Sequence, residues 1–461
     1  MKITARFVCS IILAAGLALS GCAKKKFNSW SYVKDPAVAT QLQSFIAQKE
    51  AQANASTKEA MLNYAPFFAA ANAGDWPALN QAFIDLQGRA RQYQDSGTAS
   101  ERIWGGNRAA VIEIWGALDA FGEGNEKYSA LYANDIIQSI PPGSIYFGGT
   151  DPGRFLITGM QKSQVAGDPF FTLTQNALAD GSYLNYLQSM YGDRIYIPTS
   201  EDSQKCFEDY YADVQERMKN HKLDPGEKAF VDPASGKLQV SGEVAVMNIN
   251  ALIVKVIFEH ETNRKFYIEE SFPLAWMYPY LEPHGLIFKL NHQPLAVLSD
   301  EAVQQVHDYW TKTVSPMIGD WLNNDTSIAD ISVFAEKVFH QHDFSGFKGD
   351  PGYVENKYSH IMFSKARSSI AGLYAWRAQN TTDPGEKDRM DNAADFAFRQ
   401  AWALCPYSPE AVFRYVAFLT DEHRTADALL VAETAAKFPG ANGASQKTIR
   451  ELIAQLKRNQ N

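Results

Sequence analysis

Three short runs in the middle of the chain gather residues that bind or move charge. Gly148-Gly149-Thr150-Asp151-Pro152-Gly153-Arg154 follows an apolar stretch and opens a helix, so its backbone N–H groups could receive an anion while Asp151 and Arg154 supply charge. Thr199-Ser200-Glu201-Asp202 and Glu269-Glu270-Ser271 occupy similar places after two further apolar stretches. In open α/β sheets ligands lie beyond the C-terminal ends of strands, which makes Asp151, Arg154, Thr199 and Glu270 candidate ligand-binding residues. His284 joins them, because it precedes a strand and lies among Trp276, Tyr278 and Tyr280. A purely structural role also fits the first run, with Gly-Gly making the turn, Asp151 capping the helix and Arg154 pairing with a carboxylate.

Several chemistries find no support. There is no GxGxxG and no P-loop lysine for a nucleotide, and no GxSxG elbow for a serine nucleophile. His340, His342 and His260 read as exposed loop histidines, since a metal needs three or four convergent ligands and neither HExxH nor CxxC occurs. No catalytic residue, metal or cofactor is therefore assigned.

The elements that must position these runs are short strands alternating with helices. Ser144–Phe147, Arg194–Ile197, Lys265–Ile268 and Gly285–Leu290 read as strands, and Tyr128–Ser139 and Val246–Glu259 as helices. This alternation predicts an α/β centre over 126–298 with a partly parallel, Rossmann-like sheet. The stretch Leu223–Gly242, rich in Asp-Pro turns, reads as a surface excursion.

Helices flank this centre. Over 58–125 apolar residues recur at helical spacing, as in Leu79, Phe83, Leu86 and Ile112, Trp115, Leu118, Phe121. From 299 to 461 the chain is helical again. Ala394, Phe398 and Ala401 stand before Pro406 as in the second helix of a tetratricopeptide repeat, and Ala428, Ala432 and Ala435 repeat the pattern about 34 residues later. The loop Asn380–Asp388 interrupts the first unit, and Ser445–Arg458 would cap the array.

The first residues are of another kind. Lys2 and Arg6 precede an apolar run from Phe7 to Leu19, which predicts a signal peptide over 1–21. The ending Leu19-Ser20-Gly21-Cys22 resembles the bacterial lipobox, which implies that Cys22 is lipidated and becomes the mature N-terminus. Ala23 in the next position favours the outer membrane over the inner one. Residues 22–57 would then be anchor and tether, with Lys24-Lys25-Lys26 beside the lipid headgroups and the Ala/Gln-rich stretch 27–58 passing into a first helix. Cys206 and Cys405 remain, far apart in sequence, and read as two buried thiols.

Composition narrows the partners. The chain has 461 residues, 46% of them hydrophobic, which is enough for packed cores of two or three domains. Its net charge of −9, with no basic block, excludes nucleic acid as a main ligand, because phosphate neutralisation dominates such binding.

Residues 140–300 also carry a resemblance. The Gly148–Arg154 loop, Asp168-Pro169-Phe170-Phe171, Ile195-Tyr196-Ile197-Pro198-Thr199, Phe266-Tyr267-Ile268 and Tyr280-Leu281-Glu282-Pro283-His284-Gly285-Leu286 resemble the soluble extracytoplasmic part of a family of polytopic membrane proteins. That family has no assigned function and is similar to glycosyltransferases that use lipid-linked sugars; its members can carry tetratricopeptide-like helices. Such transferases keep their catalytic acids in the membrane bundle, which this chain lacks, so the resemblance implies an accessory or recognition role. The expectation is an anchored envelope lipoprotein that binds a protein, peptide or glycan without catalysis. The alternative is an enzyme acting on envelope glycans through Asp151, Arg154 and Glu270.

Overall fold

The computed structural model describes residues 30–56, 59–224, 226–231, 238–269, 275–438 and 443–459. Cys22 and Glu270 lie outside the described residues. Among those described, no helix is long and apolar enough to cross a membrane.

The chain is mostly helical and encloses one small mixed sheet. Helix α1 (Pro36–Ala55) begins where the Asp35 side chain caps Ala37 N, and it buries Val38, Leu42, Phe45, Ile46 and Ala53 along one stripe. This corrects the expectation of a tether over 22–57. The helix expected at the end of the Ala/Gln-rich stretch starts already at Pro36 and belongs to the core. Helices α2 (Ala65–Ala73), α3 (Trp76–Asp95), α4 (Ser100–Trp104), α5 (Arg108–Gly122) and α6 (Glu126–Ser139) follow, with Gly74-Asp75 separating α2 from α3.

The five-stranded sheet has the order β2-β1-β5-β7-β6, with β1 Ile145–Gly148, β2 Phe171–Thr174, β5 Phe266–Ile268, β6 Leu281–His284 and β7 Ile287–Leu290. Strand β1 runs parallel to β2 and to β5, whereas β7 pairs antiparallel with β5 and β6. Strands β1 and β5 inside the sheet and β2 at its edge are all buried on both faces, so helices cover the sheet on this side. A separate hairpin of β3 (Lys228–Val231) and β4 (Leu238–Ser241) occupies the predicted surface excursion.

The strand expected at Arg194–Ile197 does not form. Its polar groups are taken by side chains instead: Tyr196 N donates to Glu261 and Arg264 donates to Arg194 O. Pro198 offers no N–H to a ladder. Strand β2 takes the place in the sheet that this segment was expected to fill.

Between the strands, a wide helical turn at Pro152–Leu156 leads into α7 (Ile157–Met160). Helices α8 (Gly181–Tyr191) and α9 (Ser200–Lys219) follow β2, and α10 (Glu243–His260) leads into β5. Beyond β7 come α11 (Asp300–Ile318), α12 (Ile328–Phe334), α13 (Pro351–Val354), α14 (Lys357–Gln379), α15 (Pro384–Leu404), α16 (Pro409–Asp421), α17 (Thr425–Ala436) and α18 (Gly443–Asn459). Helix α15 starts earlier than the loop expected at Asn380–Asp388 allows, because Asp383 caps Gly385 N and Pro384 suits the first helical position.

Helices α14 and α15 pair closely through small side chains, with Ala366, Ala371, Ala394, Ala397 and Ala401 all buried. Arg377 on α14 joins this half to the sheet by donating to the carbonyls of Leu295, Pro279 and Leu281. Buried apolar side chains form one continuous cluster from Val33 to Leu456.

Candidate functional site

Strands β1 and β5 lie side by side, and the chain leaves their ends in opposite directions, β1 toward β2 and β5 toward β7. Such a switch point is where an open α/β sheet takes its ligand. Here the place is filled from within. Glu269, buried just past β5, accepts hydrogen bonds from Gly149 N at 3.0 Å, Thr150 N at 2.6 Å and Thr150 Oγ1 at 2.7 Å. Gly153 must be glycine for this approach, since a Cβ there would stand 2.1 Å from Glu269 Oε2. The anion in the Gly-Gly-Thr loop is thus the protein's own carboxylate. Burial pushes the Glu269 carboxyl up, while the Thr150 and Gly149 donors and Lys365 pull it back.

Glu269→Ala would strand buried donors without an acceptor, at about 1–3 kcal/mol for each unsatisfied group. A loss of about 3 kcal/mol or more is expected in urea unfolding, with Glu269→Gln losing less because it keeps an acceptor oxygen. An alanine variant as stable as the parent would refute this role.

The open site lies beside the switch point, in a cleft of about 1170 Å³. One wall is α3, whose Trp76, Asn80, Phe83, Ile84 and Gln87 share a face, while Leu79, Leu86 and Ala90 on the adjoining stripe enter the core together with Trp76. Packed beside it is α5, with Ile112, Trp115 and Asp119. Gly116 lets the turn after β1 press against α5, because a Cβ there would lie 2.1 Å from the Phe155 ring. That turn contributes Asp151, Arg154 and Phe155, and α8 closes the cleft with Asn185 and Tyr186.

Phe83 and Trp115 stack across the two walls, 4.5 Å between centroids at 13°. Trp115 Nε1 donates to Asn80 Oδ1 at 3.0 Å, and Trp76 Nε1 donates to Glu123 at 3.0 Å, so both indoles are held in place.

Beneath the cleft lies a buried polar network. Lys49 of α1, fully buried, contacts Glu113 of α5 at 2.6 Å and Tyr186 of α8 at 2.6 Å. Tyr186 also donates to Glu113 at 2.6 Å, and Gln164 donates to its other oxygen at 3.1 Å. Burial pushes the Lys49 ammonium down from its ordinary value, and Glu113 opposes that shift. The network bolts three helices together at the cleft floor.

Charge on the lining is largely spent internally. Arg154 pairs with Asp151 at 2.5 Å and Arg108 with Asp180 at 3.3 Å. Asp119 differs. Burial, with Glu123 and Asp151 nearby, raises its carboxyl to about 7. It can therefore donate as well as accept near neutral pH.

The structure separates the sequence-predicted residues. Asp151 and Arg154 reach the cleft, but Asp151 makes no cap and instead binds Arg154. Thr199 caps α9 in a reciprocal pair with Asp202 and lines no part of the cleft. His284 ends β6, away from the cleft lining, with Nε2 3.0 Å from Ser139 O. Among the described residues no group of three or more His, Cys, Asp or Glu side chains could hold a metal. Cys206 and Cys405 are both free and buried.

Asp119, Glu113 and Lys49 escaped the sequence reading. Their signal was a charged residue inside an apolar helical stripe, visible once α1 and α5 are aligned on their buried positions.

No family model, curated protein or solved structure matches this chain. The cleft's own chemistry must carry the functional argument.

Proposed function

We propose that this is a lipid-anchored envelope lipoprotein, held at Cys22 and sorted to the outer membrane, that binds a protein, peptide or glycan partner without catalysis. The observation that carries the binding role is the cleft, which is larger than the ~300–1,000 Å³ typical of small-molecule sites and joins a stacked aromatic pair to a few polar groups. Two of its arginines, Arg108 and Arg154, are paired with carboxylates, which suits holding better than charge transfer. Burial of Ala394, Ala401, Ala428, Ala432 and Ala435, with Phe398 stacked on Tyr415, supports tetratricopeptide-like packing and a second surface for a partner. The resemblance of residues 140–300 to an extracytoplasmic accessory part agrees with a recognition role.

Glycan cleavage is the rival, favoured by one observation: the Asp119 carboxyl, held near 7, shares the cleft with Asp151. Purified protein that shortens an envelope glycan, and loses that activity as Asp119→Asn, would establish the rival.

Anchoring has its own test. Cys22→Ser should move the protein from the membrane fraction to the soluble fraction and abolish incorporation of labelled palmitate. Unchanged membrane retention and labelling would remove the anchor from the proposal.

A further inference from the structure

We infer that the pole of the molecule formed by Trp30, the α2–α3 junction and the start of α6 faces the headgroup layer of the bilayer that holds Cys22, because the link between anchor and fold is too short to let the opposite side turn that way. This rests on the reading above that Cys22 carries the lipid.

The described fold begins at Trp30. Its N–H donates to Gly74 O at 3.1 Å, and its carbonyl accepts from Val33 N at 3.0 Å. The indole lies on Gly74, where φ is +63° and a Cβ would stand 2.4 Å from the ring. Glycine is needed there both for the left-handed turn that ends α2 and for this contact. A few residues on, Lys34 N and Asp35 N donate to the two carboxylate oxygens of Glu126, at 2.8 and 2.7 Å. Residues 30–35 are thus clamped to the α2–α3 junction and to the start of α6, and α1 follows at once.

Eight residue steps separate Cys22 from Trp30. At ~3.3–3.6 Å per residue they reach about 29 Å at most, whatever conformation they take. A compact chain of 461 residues has a radius of gyration near ~23 Å, hence a diameter of about 60 Å. Were the clamped segment on the side away from the bilayer, Trp30 would stand about 60 Å above the lipid, twice the reach of the link. The exit point is therefore confined to the membrane-facing half. A tether running on to residue 57 could extend about 120 Å and would leave every orientation open.

The chemistry of this pole suits a headgroup layer reached through a covalent link rather than through charge. Trp30 is half-buried, and an indole so placed favours the headgroup level. Exposed Lys34 and Lys127 stand among Asp35, Asp75, Glu123 and Glu126, so the pole is no basic patch for anionic lipid. Trp76, two residues from Gly74, lines the cleft and donates through Nε1 to Glu123 of the same lining. One end of the cleft is thereby held at the membrane-facing pole, within reach of a partner embedded in or attached to that surface.

Energy transfer to headgroup-labelled lipid tests the orientation. The acylated protein, with a donor dye on Ala78→Cys, is reconstituted in phosphatidylethanolamine–phosphatidylglycerol vesicles. Ala78 is exposed in the first turn of α3, and Cys206 and Cys405 are buried, so the dye goes to one place. Inserting about forty Gly/Ser residues after Phe27 makes the link longer than the molecule is wide and should lower the transfer roughly twofold or more. With the native link, raising the salt from roughly 0.1 M to 1 M should leave the transfer unchanged.

Equal transfer with both links, or transfer that high salt abolishes, would overturn the inference while leaving the anchor in place. Pelleting with vesicles is measured alongside. Cys22→Ser protein that pellets as well as the parent would instead remove the anchor, and the inference with it.

Discussion

Lys49→Ala should destabilise the protein by about 3–5 kcal/mol, the range for removing one partner of a buried ion pair. The cost arises less from the lost attraction than from what remains. Glu113 would stay almost fully buried, with only Tyr186 and Gln164 to satisfy it, and the floor joining α1, α5 and α8 would lose its centre. Tyr186 would keep its bond to Glu113 but lose the ammonium that now lies over its ring at 5.1 Å. The double change Lys49→Met with Glu113→Leu should recover much of the loss, because an apolar pair of similar volume needs no charge compensation. Urea unfolding midpoints for the single and double variants decide the matter. A Lys49→Ala variant within about 1 kcal/mol of the parent would show that the pair is not the bolt described.

Asp119→Asn should change how stability depends on pH. In the folded protein the Asp119 carboxyl lies near 7, against 3.8 for the free group, so between these values the folded state holds a proton that the unfolded chain releases. Folding is then favoured most below about pH 4, and the advantage is lost as the pH rises toward 7. At about 1.4 kcal/mol per unit, the loss over this window is on the order of 4 kcal/mol. Other carboxylates act in the opposite direction. Asp350 is held low by Lys127, Tyr128 and the Gly352 N–H against the effect of its burial, and Glu227 is held low by Arg217 and Tyr210, so both lose stabilisation as the pH falls. These groups are common to both proteins, so the difference between the two profiles isolates Asp119. Thermal midpoints at pH 5 and pH 8 should fall more for the parent than for Asp119→Asn. Parallel profiles would mean that Asp119 is ordinary.

Local rules were legible wherever one neighbour decides the outcome. Gly74-Asp75 ends one helix and starts the next, Pro141-Pro142-Gly143 stops α6, and apolar aromatic runs became β1 and β5. Asp383-Pro384 carried an equally local start signal, yet the composition of the loop obscured it. At Arg194–Ile197 the local reading failed because Glu261 and Arg264, distant in sequence, took the hydrogen-bonding groups that a strand needs. The candidate loop at Gly148–Arg154 was placed correctly at a strand end, but its occupant was not readable. Glu269 and its neighbour Glu270 are indistinguishable as letters, and only the register of β5 beside β1 points Glu269 into the loop.

The sequence by itself determined most of the helical stripes, the short strands β1, β5 and β7 and the acidic balance, because periodicity and composition act over a few residues or over the whole chain. The tertiary structure decided everything that depends on two distant residues meeting. It turned an apparent tether into a core helix, filled the anion-binding loop with an internal carboxylate, and set Lys49 against Glu113. It also opened the cleft that α3 and α5 line together with α8 and the turn after β1. Burial and long-range pairing set the protonation of such groups, and neither is a property of a residue type or of its spacing along the chain.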